Sequence, residues 1–382
     1  VTRRQRRPDR PWWHDAVVYQ VYPRSFADSD GDGIGDLRGV LAHVDHLVTL
    51  GVDALWLSPV YPSPQADNGY DITDYRDVDP VFGTLDDLDA LTAALHAHDI
   101  ALVMDVVVNH TSEEHPWFRD ARSGGPRRDW YHWRPPREGC TGGEPGAEPT
   151  DLQSAFGGPA WTWDEEAGAY YLHLFTPQQP DLNWDNPEVR AAVAEMMRWW
   201  LDRGVDGFRL DVINLIAKPD DLADKADLGD VDEDRLHRYL AELHAEVLAG
   251  RDTVTVGEMP GATPRLAREV TDPERRELDM VFTFEHVDLD SGQHKFDLRP
   301  LRLPDLKANL AAWQEALADV GWNSLYLNNH DQPRVVSRWG DDSDEHRVAS
   351  AKTIATTLHL LRGTPYVYQG EEIGLRNAPF SS

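Results

Sequence analysis

The chain is poor in the groups that would give it an easy classification. It has one cysteine, Cys140, in 382 residues, so no intrachain disulfide can form. With no histidine pattern around EGCTGGEPG, that thiol reads as a spectator. No run reaches the roughly 18 apolar residues a membrane helix needs. The start, VTRRQRRPDRPWW, is basic but leads into no apolar core of a secretory signal, so it reads as a solvated tail and a cytoplasmic location is expected. Basic residues are scarce: 37 Lys and Arg face 67 Asp and Glu, a formal charge of −30. Such a surface repels phosphate backbones and anionic lipid, so neither nucleic acid nor membrane is expected as a partner. No zinc, P-loop or dinucleotide motif is present, since GDGIGDLRG lacks the lysine and the spacing.

What the chain has is an alternation of strand and helix signals. Residues 17–22 (VVYQVY) and 54–57 (ALWL) read as short buried strands, with an amphipathic stretch at 37–50 stopping before Gly51 between them. Residues 85–98 repeat the helical pattern, and 100–108 (IALVMDVVV) is the strongest strand. From about 111 to 176 the alternation fails in a stretch dense in Pro, Gly, Trp and charge, where only YYLHLF reads as a strand; a loop-rich insertion after the third strand accounts for it. The pattern then resumes with helices at 187–201, 234–248, 306–319 and 345–361. Strands follow at 207–211, 253–257, 280–284, 325–327 and 365–368. Eight strands in a βα repeat predict an α/β fold, a (β/α)8 TIM barrel. Its barrel would comprise residues 1–110 and 177–382, and its inserted domain residues 111–176.

Three of those strands end in an acid: DGFRLDV at Asp211, TVTVGEM at Glu258 and SLYLNNHDQ at Asp331. In such a barrel all strand ends face one pocket, and carboxylates converging without a Ser, His or Cys nucleophile suit glycoside chemistry. Arg209 shares a strand face with Asp211 and is expected to hold it ionised, as a nucleophile requires. Glu258 follows the uncharged VTVG, a setting expected to raise its pKa as a general acid requires. Taken singly, each has an ordinary alternative: a buried Arg–Asp pair, a loop acid, a strand-end histidine at His110, a structural acid at Asp105. The 14 Trp and 12 Tyr are either sugar-stacking platforms or core. DSDGDGIGD carries Asp28, Asp30, Asp32 and Asp36 around Gly turns, an oxygen cage suited to Ca²⁺, or else an acidic solvent loop; it is not an EF-hand, because Gly39 stands where a bidentate Glu should.

The ordered motifs VVYQVYPRSFADSDGDGIGDLRG, DNGYDITDY, DVVVNHTS, LHLFTPQQPDLNWDNPEVR, GFRLDVIN, GEMPG, FEHVDLDSG and NNHDQPR span essentially the whole chain. With them the sequence resembles the α-amylase superfamily of glycoside hydrolases, nearest the oligo-1,6-glucosidase and dextran glucosidase group. The resemblance implies Asp211 as nucleophile, Glu258 as acid/base and Asp331 as the acid that binds sugar hydroxyls and stabilises the transition state. It implies a first-sugar pocket of Asp71, His110, Arg209 and His330, with Phe175 and Gln179 as its side wall; the NNHDQPR cluster adds Arg334. It assigns Asp28, Asp30, Asp32, Asp36 and the Ile34 carbonyl to a calcium loop. Val212, after the nucleophile, resembles members that prefer α-1,6 linkages. The group continues past GEEIG into a last barrel helix, an arginine-bearing segment and a β-rich C-terminal domain, none of which follows Ser382 here. The expected activity is that of a monomeric retaining exo-α-glucosidase on terminal α-1,6 or α-1,4 bonds of short oligosaccharides, its two carboxyl groups roughly 5–5.5 Å apart. A sucrose isomerase or transglucosidase and a non-catalytic carbohydrate-binding barrel are the alternatives.

Overall fold

The computed structural model describes residues 10–220, 222, 231–292 and 297–379. In chain order its strands are β1 Val18–Val21, β2 Ala54–Leu57, β3 Ala101–Val107, β4 Trp133–Arg134, β5 Trp161–Asp164, β6 Ala169–Leu172, β7 Gly207–Asp211, β8 Val254–Glu258, β9 Met280–Phe282, β10 Ser324–Leu325 and β11 Thr364–Tyr368. Eight of them form one parallel sheet in the order β10-β11-β1-β2-β3-β7-β8-β9. A parallel bridge from Val281 to Asn323 brings the two ends together and closes the barrel.

Alternation along each strand splits the core into two layers. On β2, Ala54 and Trp56 point into the barrel, where they meet Val103, Val256, Met280 and Tyr366. Leu55 and Leu57 point outward and pack with the helix faces. Both faces being covered explains why β3 is buried at all seven positions and reads as an unbroken apolar run.

The helices that matter for the site start on legible caps. The helix Leu85–Ala97 begins with a capping box between Thr84 and Asp87, and Pro187–Asp202 begins with Asn186 accepting from the Glu188 amide at 2.8 Å. The single helix expected over 37–50 is instead two, Leu37–Ala42 and Val44–Leu50. His43 leaves helical geometry between them, and its ring Nδ1 donates to the Gly39 carbonyl at 2.8 Å. The expected helix over 234–248 ends at Leu243 and continues as one π turn to Leu248.

Between β3 and β7 lies a small antiparallel sheet, β4-β6-β5. Only its central strand was legible in YYLHLF. The hairpin from β5 to β6 turns on Gly168 at φ 59°, with the Asp164 carboxylate accepting the Ala167 amide at 2.8 Å. Among the described residues, no helix is long and apolar enough to cross a membrane.

Candidate active site

At the C-terminal ends of the barrel strands lies a cavity of about 610 Å³. Asp211 closes β7 and Glu258 closes β8, so neighbouring strands deliver both acids to its floor. Asp331 comes from the loop after β10, His110 from the loop after β3, and Phe175 from the inserted segment. The three strand-end acids read from the sequence do meet in one cavity.

Beneath them Arg209 is only 1 % exposed and serves three carboxylates at once. Its Nη1 lies 2.9 Å from Asp105 Oδ1 and 2.5 Å from Asp211 Oδ1, and its Nη2 lies 2.6 Å from Glu258 Oε2. Asp105 in turn accepts from Trp56 Nε1 and Tyr70 Oη, each at 3.2 Å. One cation is therefore shared by three buried acids, which corrects two expectations. Burial pushes the Asp211 carboxyl well above the usual range despite the Arg209 guanidinium beside it. Burial also raises the Asp105 carboxyl. The setting of Glu258 is also not the uncharged one that VTVG suggested: besides Arg209, its Oε2 accepts the Val212 amide at 3.1 Å. Val212 reaches it from the left-handed region, at φ 35° and ψ 43°, an uncommon place for a β-branched residue.

The expected first-sugar residues divide. His110, Phe175 and Val212 line the cavity. Asp71 does not: it is fully buried and spends its oxygens on the amides of Ala66 (2.9 Å) and Asp67 (3.0 Å) and on Ser63 Oγ (2.8 Å). Asp67, four residues earlier in the same motif, is the acid on the wall. Gln179 is buried behind it and donates to Asp67 Oδ2 at 2.8 Å. His330 stands behind the wall, stacked on Tyr70 at 5.4 Å, with its Nε2 2.6 Å from Tyr70 Oη and its Nδ1 2.9 Å from Gln20 Nε2. Arg334 lies outside the wall, over the Tyr368 ring and donating to the Gln369 carbonyl at 2.5 Å. Asp331 is half exposed at the mouth, 3.3 Å from His330 Nε2.

Wall residues that the sequence reading did not select are Asp67, Tyr70, Phe156, Phe284, Asp288, Ser291, Gly292 and Gln332. All but Phe156 lie in or beside motifs already noted, DNGYD, FEHVDLDSG and NNHDQPR, so the signal was the motif and the missing step was the choice within it. Phe156 comes from the loop-rich insertion and carried no signal. In the acidic loop, carboxylate oxygens of Asp28, Asp30 and Asp36 come within 4.8 Å of one another, and Asp32 stands outside that group. Asp36 also caps the helix Leu37–Ala42 through the Gly39 amide at 2.7 Å. Hard carboxylate oxygens gathered this way fit Ca²⁺ rather than a softer metal.

Residues 20–381 match the α-amylase catalytic domain model. The chain belongs to the α-amylase family. Among its relatives, this α-amylase-family chain is 56 % identical to an oligo-1,6-glucosidase of Parageobacillus thermoglucosidasius, over 98 % of its own length and 67 % of the relative's. It is 50 % identical to a trehalose-6-phosphate hydrolase of Bacillus subtilis, over 97 % of its own length and 66 % of the relative's. A crystal structure of Bacillus licheniformis trehalose-6-phosphate hydrolase superposes with a TM-score of 0.91 at 46 % identity, covering 96 % of this chain and 66 % of that one. A trehalulose synthase mutant superposes equally well, at 0.91 and 43 % identity, covering 97 % and 67 %. The chain thus spans about two thirds of the length of the relatives it matches.

Proposed function

We propose that this chain is the catalytic part of a retaining exo-α-glucosidase that cleaves terminal α-1,6 or α-1,4 glucosyl bonds of short, uncharged oligosaccharides. The observation that carries the proposal is the single Arg209 guanidinium bridging Asp211 and Glu258 at the cavity floor. A pair of acids that one guanidinium can span favours the close spacing of a retaining mechanism over the wider spacing that leaves room for a water. In the first step Asp211 bonds to the anomeric carbon as the glycosidic C–O bond breaks, and the Glu258 proton goes to the leaving oxygen. In the second, Glu258 takes a proton from water, which displaces Asp211 and releases glucose with its configuration kept. Three buried acids around one cation favour retaining a proton in the cluster, and the reaction needs that proton on Glu258 with Asp211 ionised. Asp67, His110 and Asp331 are assigned to the sugar hydroxyls.

The uncharged substrate is argued from the wall. Its described residues include Asp67, Asp211, Glu258, Asp288 and Asp331 and no Lys or Arg, a lining that opposes a phosphorylated sugar. Calcium is assigned to the Asp28, Asp30 and Asp36 carboxylates, where it would tie the loop to the first barrel helix.

The test is turnover of isomaltose, maltose, sucrose and trehalose 6-phosphate, with the anomer of the released glucose read by NMR before mutarotation. α-Glucose from isomaltose or maltose is expected, and Asp211→Asn should abolish it. β-Glucose as first product, or activity surviving in Asp211→Asn, would overturn the mechanism. Preferential turnover of trehalose 6-phosphate, or isomeric disaccharides from sucrose, would overturn the substrate.

A further inference from the structure

Behind the wall a buried ammonium has a role that the catalytic scheme leaves unassigned. Lys218 follows β7 by seven residues, and its side chain is 5 % exposed. Its Nζ meets three acceptors: Asn109 Oδ1 at 2.8 Å, the Leu215 carbonyl at 2.9 Å and Asp181 Oδ2 at 2.9 Å. An ammonium has only donors, so the Asn109 atom that faces it must be the oxygen. That fixes the other end of the amide. Asn109 Nδ2 points at Asp181 Oδ2, 3.3 Å away, and at His110 Nδ1, 3.1 Å away.

His110 Nε2 lies across the ring from Nδ1, and its own neighbours leave its state open. The Tyr70 carbonyl, an acceptor, is 3.2 Å away. Gln179 Nε2, a donor, is 3.0 Å away, and that amide is itself oriented because its Oε1 accepts the Thr176 backbone N–H at 3.1 Å. Two opposed demands meet at Nε2, so the decision falls to Nδ1. There the donor is a side-chain amide whose orientation Lys218 dictates, and a ring nitrogen facing an N–H accepts. A neutral imidazole that accepts at Nδ1 carries its proton at Nε2.

We propose that Lys218 is a positioning residue that, through Asn109, fixes His110, a residue of the cavity wall, as the Nε2–H tautomer, making that nitrogen a hydrogen-bond donor. Burial, which lowers the His110 pKa to about 4, keeps the ring neutral, so that a tautomer is there to be chosen. The consequence for substrate, a donor held ready for a sugar hydroxyl, rests on the glucosidase reading; the tautomer itself does not.

The test is therefore spectroscopic. The chain is labelled with ¹⁵N-histidine, and His110 is assigned by the signal lost in His110→Gln. In the unmutated protein His110 should show a protonated Nε2 and an unprotonated Nδ1; a protonated Nδ1 overturns the proposal without any variant. Asn109→Asp turns the donor facing Nδ1 into an acceptor and should move the proton to Nδ1, or protonate both nitrogens. The paired substitution Lys218→Met with Asp181→Asn removes the ammonium and its counter-charge together and should leave His110 without a single tautomer. An unchanged Nε2–H signal in either folded variant overturns the relay. On isomaltose, the paired variant should lose about tenfold in kcat/KM, mainly through KM, as expected for one lost hydrogen bond to substrate. An inactive parent with the expected tautomer would refute the glucosidase reading and leave the relay standing.

Discussion

Replacing Arg209 by Met should destabilise the fold in a way that depends steeply on pH. The substitution nearly conserves length and removes the one cation shared by Asp105, Asp211 and Glu258, whose side chains are all at most 9 % exposed. Three buried carboxylates without a counter-charge cannot all stay ionised, so the folded variant must take up at least one proton more than the parent. Holding one carboxyl protonated costs about 1.4 kcal/mol per pH unit above a free-chain value near 4, hence about 4 kcal/mol at pH 7 and about 1.4 kcal/mol at pH 5. The sign follows from linkage. Asp105 and Asp211 have folded pKa values above their unfolded ones, so the fold binds more protons than the open chain and loses stability as pH rises. Urea unfolding of both proteins at pH 5 and pH 7 measures the gap. It should be close to the buried-pair range of about 3–5 kcal/mol at pH 7 and shrink by more than half at pH 5. Equal midpoints at pH 7, or a gap that stays level or widens towards pH 5, would refute the shared-cation account.

Four further outcomes are expected. Asp67→Asn should lower kcat/KM on isomaltose by at least about tenfold with little change in melting temperature, because Asp67 faces the cavity and hydrogen bonds to charged groups contribute roughly 1.5–3 kcal/mol. Asp71→Asn should do the reverse, lowering stability by a similar amount through its loop amides; kinetics and thermal melts of the two variants decide it. Chelation with EGTA should lower the melting temperature, and Ca²⁺ but not Mg²⁺ should restore it, since the carboxylate cluster suits the larger ion. Gly39→Ala should destabilise by about 3 kcal/mol or more in urea titrations. Its Cβ would lie 1.9 Å from the Ala27 backbone carbonyl, which no side-chain rotation can relieve.

The parts of the fold that were legible in the sequence are those where one physical demand dominates. β3 is covered on both faces, so IALVMDVVV could be nothing else. β10 is two residues long and was recognisable only by its place in the repeat. In the inserted segment, WTWD and WR are strands because each pairs with the strand in YYLHLF, a contact that no local pattern announces. At the site, strand-end acids were easy to find and their surroundings were not. Asp67 and Asp71 sit four residues apart in one motif, and only the folded loop shows which one spends its oxygens on backbone amides. Arg209 and Asp211 looked like a private pair along the strand. Burial reverses the effect on Asp211, helped by Asp105 and Glu258, which arrive from neighbouring strands and also claim the guanidinium.

The closure of the barrel carries a last consequence. β3, β7 and β8 share continuous ladders, whereas the sheet meets itself through a two-residue strand and the single Val281–Asn323 bridge. Local opening will concentrate at that seam, where few backbone hydrogen bonds must break. Asp211, Glu258 and Arg209 stand on the well-laddered side; Asp288 and Asp331 hang from the segments that flank the seam. On the proposed function, the half of the cavity rim beside the seam is the one expected to open as a sugar enters and leaves, while Asp211, Glu258 and Arg209 keep their places.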